Sequence, residues 1–368
     1  MESIHDVPTP ALVLDLDVLE ANLRRMAAKT AALGVSLRPH TKTHKCVEVA
    51  ERQRALGAAG ITVSTLYEAR VFADHGFSDI TWAFPVILSR LREVEELAAR
   101  VTLRLILDSP AAVDALEALR RPLHVWLEVD SGQHRSGVDP ESPAALELAR
   151  ALAESPWLIF DGLLTHAGHS YDGKSREEIA AVAEEERRVM AGLAERLRGE
   201  GIEVPAVSVG STPGMSARPE TARLDGVTEA RPGNYVFYDY TQVALGSCRV
   251  VDCGVTVLAS VVSHRPGDEQ CVVDAGALAM SKDLGPRGHA GFGEVFADSG
   301  GGTGAGTLSG ARLTSLSQEH GIVGAPFPVG TRLRVLPNHS CLTVAQFDEY
   351  LVVRGDEVVD RWKIWRGR

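Results

Sequence analysis

The sequence predicts an α/β chain, a TIM-type (β/α)8 barrel followed by a smaller mostly-β C-terminal domain, and three observations carry that expectation. Over the first two-thirds of its 368 residues, eight apolar, β-branched runs alternate with segments of helical period. No G-x-G-x-x-G follows an early strand, which weakens an open dinucleotide-binding sheet. Beyond about residue 245, short strand candidates separated by Gly, Pro and Asp turns replace the alternation.

In chain order, residues 11–16 (ALVLDL) read as a strand. Asp17 then reads as a helix N-cap, with Glu20 three positions on as its capping-box partner. Leu19, Leu23 and Met26 follow on one helix face. The eight barrel runs are 36–40, 60–65, 79–84, 101–108, 123–130, 158–166, 206–211 and 229–238. Ser109 and Pro110 form an N-cap and N1 pair between two of them. A long charged helix is expected over 176–198, and its EEERR stretch reads as a solvated face.

In the second domain, 250–262, 270–274, 331–336 and 350–354 are the strand candidates. The glycine-rich stretch 299–310 lacks the Gly-Lys-Ser/Thr ending of a P-loop and reads as a loop. The expected division is 15–245 for the barrel and 246–368, with an N-terminal strand from 1–14, for the β domain.

Charge and cysteine usage narrow the function classes. Lys and Arg number 38 against 49 Asp and Glu, a formal net charge of -11. That balance argues against a general binder of nucleic acid or anionic membrane. The five cysteines form no CxxC pair, so a reducing cytosol is expected rather than a disulfide framework. The N-terminus has no signal pattern and no apolar run reaches transmembrane length, so the chain is expected to be cytoplasmic.

The chemistry-bearing residues cluster at predicted strand ends, where a barrel places its catalytic groups. The first cluster is Arg38-Pro39-His40-Thr41-Lys42-Thr43-His44-Lys45. So electropositive a knot can depress a lysine pKa and favour attack on an aldehyde, whereas a solvated basic loop is the bland reading. The loops after strands seven and eight, Gly210-Ser211-Thr212-Pro213-Gly214 and Arg231-Pro232-Gly233-Asn234-Tyr235, offer backbone N–H groups on small residues. Ser211 and Thr212 add hydroxyls, and a phosphate is the natural guest.

RPHTKTHK resembles the motif of the D-serine dehydratase and D-threonine aldolase family, alanine-racemase-like (fold type III) enzymes that use pyridoxal 5'-phosphate. The resemblance spans nearly the whole chain. It implies that Lys42 carries the cofactor as a Schiff base, and that Ser211, Thr212, Gly233 and Asn234 hold its phosphate. Arg135, in EVDSGQHRSG, is similar to the arginine that meets the ring substituents or ring nitrogen. By the same resemblance His166 lies against the pyridine ring and Tyr171 sits near the substrate. His169 is without an assigned role, and Arg231 matches a ring-nitrogen arginine of alanine racemases that varies within this family.

Pro337-Asn338-His339-Ser340-Cys341 follows a strand candidate of the β domain. In extended backbone, His339 and Cys341 would point to one side, an imidazole and thiolate pair suited to zinc. A buried cysteine beside a surface histidine is the bland alternative. PNHSC resembles the metal motif of D-serine dehydratases, whereas related aldolases carry aspartate at the second position, which suits manganese or magnesium. Gln318-Glu319-His320-Gly321 resembles another segment of the family.

The resemblance implies a lyase on D-3-hydroxy amino acids. Lys42 would remove the α-proton, and an ion on His339 and Cys341 would polarise the β-hydroxyl. D-serine dehydration to pyruvate and ammonia is the leading expectation. D-threonine aldolase is the alternative, followed by a racemase and a non-catalytic pyridoxal-phosphate carrier. A homodimer is expected by analogy with the superfamily.

Overall fold

The computed structural model describes residues 2–219, 222–286, 288–297 and 306–368. The chain divides into two compact units. One comprises Met1–Arg25, Thr43–Glu48 and Asn234–Arg366, and the other Met26–Lys42, Val49–Gly233 and Gly367–Arg368.

The strands in chain order begin with β1 (Glu2–Ser3), β2 (Ala11–Asp15), β3 (Ser36–Leu37), β4 (Ile61–Val63), β5 (Asp79–Pro85) and β6 (Thr102–Leu107). Next come β7 (Leu123–Glu128), β8 (Leu158–Leu164), β9 (Ala206–Val209), β10 (Glu229–Ala230), β11 (Val255–Ser263) and β12 (Cys271–Val273). The remaining strands are β13 (Gly293–Phe296), β14 (Leu308–Leu316), β15 (Gly321–Val323), β16 (Arg332–Pro337), β17 (Glu349–Arg354) and β18 (Glu357–Lys363). The helices used below are α1 (Leu16–Ala32), α2 (Val47–Ala55), α3 (Leu66–Asp74), α4 (Leu91–Ala98), α5 (Pro110–Glu117), α6 (Pro143–Glu154), α7 (Arg176–Gly199) and α8 (Thr212–Ala217).

In the second unit, β3 to β10 form one parallel sheet in the order β3-β10-β9-β8-β7-β6-β5-β4. A parallel bridge between His40 and Thr62 links its two ends, the curled (β/α)8 barrel expected from the sequence. Near-continuous burial along β7 and β8 explains why these runs read as unbroken apolar stretches. Ile106, Trp126 and Leu164 make one of its core clusters.

In the first unit, ten strands form a mostly antiparallel sheet with β2 between β17 and β11. Ile4, Val7, Val13, Leu258, Leu351 and Val353 pack as one of its cores.

All eight barrel runs become strands, seven of them trimmed and 79–84 extended to Pro85. The run 229–238 shrinks most, because Pro232 has no N–H for a ladder and residues from Asn234 turn into a 3-10 segment. The run 250–262 likewise starts as a 3-10 turn, and its strand begins at Val255. The structure adds β13, β14, β15 and β18 to the β candidates. Most of β18 is exposed, so its charged residues hide any apolar alternation.

Three local expectations are corrected. Asp15, not Asp17, caps α1: its Oδ1 accepts the Val18 N–H at 3.0 Å, while Asp17 pairs with Arg354. Ser109 takes the expected N-cap position of α5 with Pro110 in its first turn, although it makes no side-chain capping bond. In EEERR, Glu184, Glu185 and Arg188 are exposed, but Glu186 is buried. Of the stretch 299–310, residues 299–305 lie outside the described residues, and 308–310 open β14.

Ion pairs line the barrel interior. Arg38 Nε donates to Glu229 Oε2 at 2.6 Å, and its other nitrogens reach Asp79 at 2.7 and 3.1 Å. Arg104 bridges Asp79 at 2.8 Å and Asp161 at 2.7 Å. Asp79 is already shared with Arg104, so removing Glu229 leaves the buried Arg38 charge under-compensated. Glu229→Leu is therefore expected to cost about 3–5 kcal/mol in urea unfolding. A loss below about 1 kcal/mol, the scale of an exposed pair, would contradict the account.

Candidate active site

Lys42 lies in a 3-10 turn, Thr41–Thr43, just beyond β3. Thr41 Oγ1 donates to Thr62 O at 3.1 Å and the Lys42 N–H to His40 Nδ1 at 3.3 Å, so the turn is fixed from both sides. The Lys42 side chain is exposed. Arg38 corrects the picture of an electropositive knot, since its charge is compensated inside the barrel by Glu229 and Asp79.

Beyond β8 stands His166. Burial lowers its pKa first, and the charges of Lys42, Arg231, Arg135 and His169 lower it further, well below the ordinary imidazole value. The structure thus gathers Lys42, Arg135 and Arg231 around the neutral imidazole of His166. Arg231 is buried, with Nε donating to Ser208 Oγ at 2.7 Å and Nη2 to the Thr165 carbonyl.

The loop after β7 folds back over its own strand. Val129 bridges Val138, and Gly137 (φ +97°) lies so near Asp130 N that an added Cβ would stand 2.6 Å away. Asp130 accepts the N–H groups of Gly132 at 2.9 Å and His134 at 3.0 Å. Arg135 and Ser136 are thereby returned to Glu128, whose Oε1 accepts from Ser136 Oγ at 3.0 Å. Glu128 Oε2 is buried without a hydrogen-bond partner, and burial raises the pKa of this carboxyl. Glu128, Gln133, Arg135, Ser136 and His166 line a small cavity.

Ser211 and Thr212 are buried at the start of α8. Ser211 Oγ accepts the Gly214 N–H at 3.2 Å and lies 2.8 Å from Ser170 Oγ. Gly210 before them has φ +98°, a conformation that favours glycine. Gly233 is buried. The side chain of Asn234 is buried, its Nδ2 donating to Asp239 Oδ2 at 2.6 Å and Ser340 Oγ at 3.0 Å. Tyr171 is half-buried in the 3-10 segment Gly168–Asp172, where the Nδ1 of His169 is buried without a partner.

The other unit holds His339 and Cys341. The expected extended geometry is corrected, because only His339 is extended (φ -140°, ψ 102°), while Cys341 lies in the short helix Ser340–Val344. The two side chains still interact. Burial works to lower the His339 pKa, but the Cys341 charge, the Asp283 hydrogen bond and the Asp239 charge push it up to about 11. His339 Nδ1 lies 2.5 Å from Asp283 Oδ2, and Cys341 Sγ 3.2 Å from Thr43 Oγ1. Among the described residues, no group of three or more His, Cys, Asp or Glu side chains is arranged to hold a metal.

Three carboxylates of these sites carry no motif that assigns them a role in the sequence. Glu128 stands inside the quoted EVDSGQHRSG stretch. Asp283 has no local signal, being 56 positions from its partner. Glu186 could have been found, because it shares the buried face of α7 with Ile179, Ala183, Met190 and Leu193.

The residue sets fit the groups that the resemblance implies. Three cations around a neutral imidazole suit an anionic aromatic cofactor, and the Glu128 carboxyl, held toward its neutral form by burial, leaves Oε2 for a polar ring substituent. An imidazole pinned at Nδ1 by a carboxylate, beside a thiol, suits a zinc ion on its other nitrogen.

Comparison with known proteins supplies kinship. The family model "Alanine racemase, N-terminal domain" matches residues 14–241, and "Putative serine dehydratase domain" matches 254–353. The chain is 42% identical to the D-threo-3-hydroxyaspartate dehydratase of Delftia sp. (strain HT23), covering 100% of this chain and 99% of that protein. The solved structure of the Delftia enzyme superposes with a TM-score of 0.93 at 41% identity, with 100% of both chains covered. Its solved forms include a cysteine-to-alanine mutant in the metal-free form and a mutant of a histidine two positions earlier. The chain is also 33% identical to the D-serine dehydratase of Dictyostelium discoideum, covering 98% of each. Identity to the D-threonine aldolase of Arthrobacter sp is 34%, over 97% of this chain and 92% of that one.

Proposed function

The chain belongs to the family of pyridoxal-phosphate lyases that join an alanine-racemase-like barrel to a serine-dehydratase-type β domain, and from that premise we propose that it removes water from D-3-hydroxy amino acids. The observation that carries dehydration over aldol cleavage is Cys341 paired with His339, because the aldolase branch is expected to carry aspartate there. D-serine is one proposed substrate. D-threo-3-hydroxyaspartate is a second, favoured by 42% identity to its dehydratase over the whole chain.

Pyridoxal phosphate, when bound, supplies an electron sink for negative charge developing at the substrate's α-carbon. Lys42 would hold it covalently, with backbone N–H groups and hydroxyls of Ser211, Thr212 and Gly233 on its phosphate. His166, kept neutral by burial and its cationic neighbours, would pack against the ring without adding a charge. Arg135 would meet the ring substituents, and Arg231, already bound to Ser208 and Thr165, would stiffen the wall behind them. In this reading the Lys42 amine would take the α-proton from one face only, which would select the D-enantiomer. Tyr171 sits near the substrate.

His339 and Cys341 would hold a divalent ion, zinc by donor softness with manganese or magnesium as alternatives, whose contribution is Lewis-acid polarisation of the β-hydroxyl. Asp283 fixes the Nδ1 side of His339, so Nε2 is the donor it presents. Family kinship and five free cysteines support placing a homodimer in a reducing cytosol.

A product assay tests the reading. D-Serine and D-threo-3-hydroxyaspartate should yield ammonia and their keto acids with zinc, faster than D-threonine yields glycine and acetaldehyde. Rapid glycine formation from D-threonine with manganese, beside negligible keto acid from either other substrate with either metal, would assign the chain to the aldolases.

A further inference from the structure

Glu186 is the one member of the charged EEERR run that turns inward. Its neighbours form surface pairs, Arg187 with Glu184 and Arg188 with Glu185. Glu186 is 2% exposed on α7, and its Oε1 accepts two backbone N–H groups. One is that of Ala167, at 3.1 Å, directly after His166. The other is that of Gly210, at 3.2 Å, directly before Ser211. A single oxygen therefore joins the loop after β8 to the turn after β9. The Ser170–Ser211 hydroxyl contact of 2.8 Å ties the same two segments a second time.

A buried carboxyl costs stability unless its surroundings compensate it. Two N–H donors and the positive charges of Arg231 and Arg218 do so here, although burial still holds its pKa above the ordinary carboxylate value. The bond pattern needs one acceptor oxygen. An amide supplies that oxygen as well as a carboxyl, whereas a methyl group leaves two buried N–H groups unpaired.

We propose that Glu186 is a positioning residue for cofactor binding: through Ala167 and Gly210 it sets the spacing between the ring-side loop bearing His166 and the phosphate-side turn bearing Ser211 and Thr212. This rests on the cofactor reading above. It assigns α7 a part in the site, through the helix face that charge alone would give to solvent.

The test compares Glu186→Ala, Glu186→Gln and Leu197→Ala in the full-length protein, stripped of cofactor and titrated with pyridoxal phosphate. Leu197 is buried on the same helix and touches neither loop in the bonding described. Glu186→Ala should raise the cofactor's dissociation constant at least tenfold and speed amide hydrogen exchange at Ala167 and Gly210. Glu186→Gln should stay within about threefold of the wild type, with both amides protected. Leu197→Ala should lower the melting temperature while leaving the dissociation constant within about twofold. A Glu186→Ala protein that binds pyridoxal phosphate as the wild type does would overturn the proposal, as would equal weakening in Leu197→Ala. A wild-type protein that binds no pyridoxal phosphate would overturn the functional reading, and this proposal with it.

Discussion

Lys42→Ala should leave a folded but colourless protein whose activity on D-serine and D-threo-3-hydroxyaspartate falls by roughly 10³-fold or more, because nucleophile and base are lost in one substitution. Lys45→Ala is the matched control. Lys45 is the other lysine of the motif, and its carbonyl accepts the Trp365 N–H at 2.7 Å, a backbone bond that an alanine keeps. The lysines are thus separated by what their positions do rather than by motif membership. A spectrophotometric assay with each variant at matched protein concentration reads both effects. A yellow, active Lys42→Ala protein would move the cofactor to a different residue.

His339→Ala and Cys341→Ala should each lower activity by roughly 10²–10³-fold, about 3–4 kcal/mol of barrier, the scale for a lost Lewis acid. Elemental analysis should show the metal gone. Pyridoxal phosphate should remain, since its proposed contacts lie in the barrel. The two variants should be equal in this respect, because a two-donor site does not survive on one. Adding Asp283→Ala extends the test. That change leaves both donors but frees the imidazole, so metal affinity should weaken by roughly 10–100-fold without vanishing. Retention of full activity by either donor variant after exhaustive chelation would take the ion out of the mechanism.

Periodicity exposed the barrel because a parallel sheet covered on both faces needs continuous apolar strands, and such runs survive in any reading of the chain. The same logic fails at the edges of the β domain. β18 keeps Glu357, Asp360 and Arg361 within a strand that is mostly exposed. Gly293–Phe296 is only four residues long and lies beside a glycine-rich stretch. Helix caps failed in a different way. Asp15 and Asp17 are chemically equivalent at the start of α1, and only the strand-to-helix bend decides which carboxylate faces the free N–H groups.

The candidate residues that the sequence proposes, Lys42, Arg135, His339 and Cys341 among them, are those embedded in an unusual motif. What sequence left dark were carboxylates that stand near them. Glu128 closes on Ser136 only because Gly137 permits the loop to fold back. Asp283 reaches His339 across 56 positions of chain. Asn234 adds a second layer: beside the backbone N–H it offers in the phosphate turn, its side chain donates to Asp239 and Ser340, which the turn sequence does not announce. Glu186 was obscured by charge, although its spacing from Ile179 and Ala183 places it on the buried stripe.

Borohydride reduction of the yellow protein, followed by peptide mapping, tests the central claim most directly. Reduction should fix pyridoxal phosphate irreversibly to one peptide containing Arg38-Pro39-His40-Thr41-Lys42, with fragmentation placing the label on Lys42. Label on Lys45, on any other lysine, or on none would contradict the assignment of Lys42 as the cofactor's attachment point.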